Sequence, residues 1–218
     1  MRQKIMMMLT MQEAMNTKIH PKWRDQNFAW YRAIWIECAE LLDHHGWKWW
    51  KKQEPNRDQM LLELIDIWHF GLSLLLVKNS SVEMITEILE QELNIRLDTD
   101  NFGEDLEAFV SHTLKTKNFD VAKFASLMRG INMNFEDLYV GYVGKNVLNF
   151  FRQDHGYKEG SYMKQWGDLE DNEHLIRIVE EMDTDSITFN YDLYNRLLIN
   201  LKKNKIVKFK KSVDYQKL

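Results

Sequence analysis

Along most of the chain, apolar positions recur at the three-to-four-residue spacing of amphipathic helices, with short polar stretches between them. In "MRQKIMMMLTMQEAMN" this spacing predicts a first helix over about residues 3–18, ending before Pro21. A loop containing tryptophan follows. A second helix begins near Phe28, carries Ile34, Ile36, Leu41 and Leu42, and ends or bends at Gly46. "KKQEPN" is a linker with a proline. "NRDQMLLELIDIWHFGLSLLLV" (56–77) is apolar on several faces, the mark of a helix at the centre of a bundle. "SSVEMITEILEQEL" (80–93) opens with a serine cap, and with Ser80 as that cap Glu83 takes the capping-box position.

Residues 96–103 read as a loop, and two further helices cover about 104–116 and 119–130. "NFEDLYVGYVGKNVLNFF" (134–151) reads as a helix with an asparagine cap. "RQDHGYKEGSYMKQWGD" (152–168) is polar, contains glycine and has no period. "LEDNEHLIRIVEEM" (169–182) and "SITFNYDLYNRLLINL" (186–201) are the last predicted helices. No repeat, low-complexity tract, convincing strand or clean domain boundary interrupts the pattern. The expectation is an all-α helical bundle, a single domain over 1–218, packed around the apolar helix of the 60s.

Composition sharpens this picture. Only 2 prolines and 9 glycines occur in 218 residues, so helix breakers are scarce. With 44% hydrophobic and 28% charged residues, the chain has the make-up of a soluble globular protein. A net charge of −4 argues against a nucleic-acid-binding domain. The basic tail "LKKNKIVKFKK" (201–211) reads as a solvated end, with a phosphate- or partner-binding strip as the alternative. One cysteine, Cys38, excludes an internal disulfide framework and a cysteine-built zinc site, and suits a reducing cytoplasm. The most apolar run, 64–77, falls short of the roughly 20 apolar residues of a membrane span and carries Asp66 and His69. The N-terminal stretch lacks the small-residue cleavage site of a signal peptide.

The chemistry gathers in "ECAELLDHHGWKWWKK" (37–52), which holds too many charges for a core and too many tryptophans for a plain surface helix. Glu37 and Glu40 stand three apart, as do Glu63 and Asp66 in "ELID". Each pair lies on one helix face. On antiparallel neighbours the four carboxylates can surround one point, an arrangement suited to Mg²⁺ or Mn²⁺. A single ExxE alone reads as a solvated face. The second pair is embedded in "LLELIDIWHFGLSLLL", where buried acids need protons, cationic partners or a metal. A di-iron bundle site would need Glu-x-x-His, but Asp43 follows Glu40 and Asp66 follows Glu63 at that spacing. No Walker-type phosphate loop is present. His44, His45 and His69 read as structural, and for Trp47, Trp49 and Trp50 core packing stays open beside a pocket wall.

The segments "ECAELLDHHGWKWWK", "ELIDIWHFGLSLLL" and "GKNVLNFFRQDHGYKEGSY" together resemble the all-α, dimeric dUTPase family. That family lies within the MazG-like all-α nucleoside triphosphate pyrophosphohydrolases, and the likeness is nearest to dimeric dUTPases of epsilonproteobacteria. It covers the chain broadly, with a weak middle from about 80 to 135. The acid pairs mark the wider superfamily; the third segment is specific to the dUTPase branch. One departure is "MNT" (15–17), where relatives often end on an acid.

The resemblance implies metal ligands at Glu37, Glu40, Glu63 and Asp66. It implies that Lys145, Asn149, Arg152, Tyr157, Lys158 and Lys164 close over substrate and bind its phosphates and nucleoside. Gln12 and Asn16 match positions near the uracil, and Trp47 belongs to the same pocket. The implied reaction is hydrolysis of dUTP to dUMP and pyrophosphate by Mg²⁺-assisted attack of water, with Glu37 or Glu40 as the base. It extends to attack at the β-phosphorus, turnover of dUDP, and a cytoplasmic homodimer. Two rivals remain: a related pyrophosphohydrolase acting on dCTP or on both nucleotides, and a non-catalytic helical dimer that binds nucleotide.

Overall fold

The apolar run of the 60s becomes α3, Arg57–Lys78, in a computed structural model. The structure describes residues 1–78, 81–186 and 188–215, with backbone alone over 205–215. Met60, Leu64, Ile65, Ile67, Trp68, Leu72 and Leu76 of α3 are all buried, which is why its apolar residues show no single face. At 22 residues and a mean hydropathy of 1.8 in its most apolar window, α3 is long and apolar enough to cross a membrane. Two-thirds of that window (67%) is buried within the protein, as in the core helix of a globular fold.

The described residues form nine α-helices and one short hairpin, in agreement with an all-α protein. They divide into two compact units, Met1–Tyr142 and Val143–Leu218. In the first unit, α1 (Arg2–Ile19) buries Ile5, Met8, Leu9, Gln12, Met15 and Asn16, a single stripe at helical spacing. A 3₁₀ turn at Trp23–Gln26 leads to α2, Trp30–His45. Gly46 ends α2 at φ +86°, a left-handed conformation that glycine adopts without strain. The backbone N–H of Asn56 then donates to the His44 carbonyl at 2.8 Å, closing the turn so that α3 packs back along α2. At Gly71, a Cβ would stand 2.7–2.8 Å from the ring of Phe119, so glycine there lets that ring lie on α3. Phe119 joins Trp68, Phe109 and Phe124 in an aromatic core.

Helices α4 (Val82–Glu92), α5 (Phe102–Thr116) and α6 (Val121–Gly130) are capped by Ser81, Asn101 and Asp120, whose side chains accept from backbone N–H groups of the first turn. Ser80, the expected cap of α4, lies outside the described residues; Ser81 takes the role and donates to Glu83. Asn134 caps α7, Phe135–Asp154, as its sequence predicts, accepting from the N–H groups of Glu136 and Asp137.

The second unit contains the last half of α7, strands β1 (Gln165–Trp166) and β2 (Leu169–Glu170), α8 (Asp171–Glu180) and α9 (Phe189–Tyr215). The hairpin pairs Gln165 with Glu170 and Trp166 with Leu169. Two residues per strand leave no alternation to read, so the sequence shows no strand there. Val147, Leu148, Phe151, Trp166, Leu175, Ile178, Phe189, Leu193 and Leu197 form its core. Helix α9 runs on past residue 201, where its apolar periodicity ends.

Candidate metal centre and nucleotide site

Three acids of the first unit converge. Glu37 projects from α2, and Glu63 and Asp66 from α3, with one oxygen of each lying within 4.8 Å of the others. The antiparallel turn at Gly46 sets the two helices side by side, and the three-residue spacing puts Glu63 and Asp66 on the same face of α3. Glu63 is only 7% exposed, while Glu37 and Asp66 are half-buried. Burial, and then the charges of Asp66, Glu37 and Glu40, push its carboxyl from an ordinary 4.5 up to about 8. His44 Nε2 lies 3.5 Å from Glu63. Glu40, one turn beyond Glu37, is solvent-exposed and outside the trio, although Glu63 feels its charge.

Like charges gathered this closely in a part-buried site favour a cation, and a donor set made only of carboxylate oxygens suits a hard one such as Mg²⁺ or Mn²⁺. Cys38 between the two glutamates is buried and its thiol is pushed far up by that burial, so it is neither a ready ligand nor a nucleophile.

Further along the same face of α3, His69 and Ser73 continue the polar stripe begun by Glu63 and Asp66. Gln12 and Asn16 of α1 meet it there. The Gln12 amide nitrogen donates to Ser73 Oγ and to Asn16 Oδ1, both at 3.0 Å, and Asn16 Nδ2 donates to Ser73 Oγ at 3.0 Å. Gln12 Oε1 faces His69 Nδ1 at 2.8 Å and accepts from the Tyr142 hydroxyl at 3.0 Å. The His69 and Tyr142 rings stack at 4.3 Å. Of this cluster, the sequence marks out the two amides, while His69 reads as structural. Ser73 and Tyr142 complete the cluster; three polar residues at positions 66, 69 and 73 of an apolar helix are the sequence signal for the first of them.

Trp47, Trp49 and Trp50 are all exposed, packed edge-to-face on one another, so none is a core residue. Lys48 pairs with Asp43, and its ammonium lies 6.0 Å from the Trp47 ring.

In the second unit, Lys145, Asn149 and Arg152 fall on one face of α7 at i, i+4 and i+7. Lys145 and Asn149 are half-buried; Tyr157, Lys158 and Lys164 are exposed on the loop that follows. Arg152 is not a solvated cation. Its Nε and Nη2 donate to the two oxygens of Asp171, each at 2.8 Å, and Nη2 also reaches Asn172 at 3.3 Å. Asp171 is fully buried and accepts a third bond, from the Tyr162 hydroxyl at 2.8 Å. Burial opposes the charge on Arg152, but Asp171 outweighs it and raises the guanidinium above its ordinary value. Burial and the same carboxylate push the Tyr162 phenol up. Sequence pattern does not reveal Asp171: in "LEDNEHL" it reads as one of several acids at a helix start.

Fold and centre together place the chain among all-α proteins whose bundle carboxylates suit a hard divalent cation. The chain matches the family model described as dUTPase over residues 4–157, and it belongs to that family. It is a hydrolase, a dUTP diphosphatase. The match takes in the stretch 80–135, where the sequence likeness is weak. No curated protein matches the chain.

Proposed function

We propose that the dUTP diphosphatase reaction of this chain depends on Mg²⁺, with Mn²⁺ as a substitute, held by Glu37, Glu63 and Asp66 and completed by Glu40. The observation that carries this reading is the convergence of three carboxylates within 4.8 Å, one of them buried in an apolar helix. A cation held there neutralises triphosphate charge and makes a water more acidic. Glu37 or Glu40 takes the proton from that water; Glu37 belongs to the trio, and Glu40, one turn on, is exposed to solvent. The water oxygen bonds to phosphorus as the P–O bond of the α–β bridge breaks, yielding dUMP and pyrophosphate. With attack at the β-phosphorus, dUMP is the leaving group and dUDP is split in the same way to dUMP and phosphate.

Gln12 and Asn16 recognise the uracil edge, for which an amide offers both a donor and an acceptor. To do so they exchange partners within the network of Ser73, His69 and Tyr142. Trp47 stacks on the base. Lys145, Asn149, Arg152, Tyr157, Lys158 and Lys164 bind the phosphates and nucleoside. The chain works as one dUTPase domain and as a cytoplasmic homodimer, of the kind found in epsilonproteobacteria.

The test is pyrophosphate release from dUTP, dCTP, dTTP and UTP in parallel, with Mg²⁺ and with EDTA. Fast release from dUTP alone, abolished by EDTA, is the expected result. Release mainly from dCTP would overturn the assignment of Gln12 and Asn16, and release that survives EDTA would overturn the metal centre.

A further inference from the structure

Asp171 is held by more partners than any single ion pair requires. It takes the Nε–Nη2 edge of Arg152 in a two-pronged grip, and accepts from Tyr162. Its backbone N–H donates to the Lys164 carbonyl at 2.8 Å. The Arg152 carbonyl in turn accepts from the N–H groups of His155 at 3.2 Å and Tyr157 at 3.0 Å. The loop bearing Tyr157, Lys158 and Lys164 is thus tied at its start to Arg152 and at its end to Asp171.

The guanidinium is not used up by this. Arginine carries five N–H donors. Three point at Asp171 and Asn172, all from Nε and Nη2, so this grip does not engage Nη1. A carboxylate that occupies one edge of an arginine fixes the plane of the guanidinium, so the remaining edge meets a phosphate oxygen with little orientational entropy left to lose. A lysine in the same place would be a point charge on a flexible stem and could not be aimed in this way.

We propose that Asp171 is a positioning residue for substrate: it grips one edge of Arg152 to present Nη1 to a phosphate oxygen, and with Tyr162 it fixes the loop carrying Tyr157, Lys158 and Lys164. This rests on the reading of Arg152 as a phosphate ligand. Asp171 itself touches no substrate and acts through Arg152 and the loop.

The test is steady-state dUTP hydrolysis by the full chain at saturating Mg²⁺, with thermal melts and Mn²⁺ binding (by electron paramagnetic resonance) as controls. Asp171→Asn is expected to raise KM at least tenfold, to change kcat less than threefold and to leave Mn²⁺ affinity unaltered. In an Arg152→Lys background, which has already lost the two-pronged grip, Asp171→Asn is expected to add less than twofold. A KM within twofold of wild type, with only a lowered melting temperature, would reduce Asp171 to a structural salt bridge. Effects of the two substitutions that multiply would show that Asp171 does not act through Arg152. Should Asp171→Asn fail to fold, Tyr162→Phe removes one bond to the same carboxylate; a two- to fivefold rise in KM is expected, and an unchanged KM would overturn the proposal. Arg152→Ala separates the two layers. If it leaves KM unchanged, the phosphate reading itself falls; if it raises KM while Asp171→Asn does not, only the role of Asp171 falls.

Discussion

The two units bury charge in opposite ways. In the first, Glu37, Glu63 and Asp66 bring like charges together, with His44 Nε2 3.5 Å from Glu63. In the second, Asp171 meets Arg152 in a two-pronged pair and accepts a hydroxyl besides. A cluster of like charges is a site that needs something from outside, a proton or a cation. A buried pair of opposite charges supplies its own counter-charge, and its value lies in geometry, because buried ion pairs hold orientation better than they add stability. The difference separates a place where ligand chemistry is to be expected from a place that aims a side chain.

Breaking each cluster should therefore have opposite effects on stability. Asp171→Asn leaves a buried guanidinium without its counter-charge and should destabilise by about 3–5 kcal/mol in chemical denaturation. Glu63→Gln removes one of the crowded like charges at constant size, so at pH 8 the metal-free variant should melt no lower than wild type. The same Glu63→Gln should reduce kcat at least about 100-fold, since loss of even an outer partner of a metal ligand costs about 10–100-fold. Full Mg²⁺-dependent activity in Glu63→Gln would dissolve the contrast altogether.

The pH response sharpens it further. The Glu63 carboxyl is pushed from 4.5 to about 8, so the folded metal-free protein keeps a proton that the unfolded chain releases. More protons are bound in the folded state across that window, and stability should fall as pH rises from about 4.5 to about 8, then level off. Melts in EDTA from pH 5 to 9 check this. Addition of Mg²⁺ at pH 7 should release a proton, visible by calorimetry in buffers of different ionisation enthalpy. The Arg152 pair, whose guanidinium is raised from an already high value, contributes nothing in this window. The smallest effect is expected outside both clusters. Trp49 is 89% exposed, and Trp49→Ala should shift stability by no more than about 0.5 kcal/mol in denaturant titrations.

How much could be read beforehand follows from the range of each interaction. Helices α1 to α8 begin and end within a few residues of their predicted positions, because caps and periodicity act within one or two turns. Asn134 caps α7 as expected, and Gly46 ends α2. The hairpin at 165–170 escaped, since two-residue strands carry no period. The acids could be named from their spacing and from the oddity of charge in an apolar run, but their selection into a trio with Glu40 outside could not. Core packing for the tryptophans was equally open in sequence, and the structure leaves all three exposed.

The sequence by itself determined the helical class, the central place of α3 and the residue types of the site, because these rest on local periodicity and on the cost of burying charge. Tertiary structure alone decided which polar groups meet. Gln12 and Asn16 find Ser73, and Arg152 finds Asp171, across 57 to 61 and 19 residues of chain respectively. A hydrogen bond depends on distances of a few tenths of an ångström, which chain spacing beyond a helical turn does not transmit.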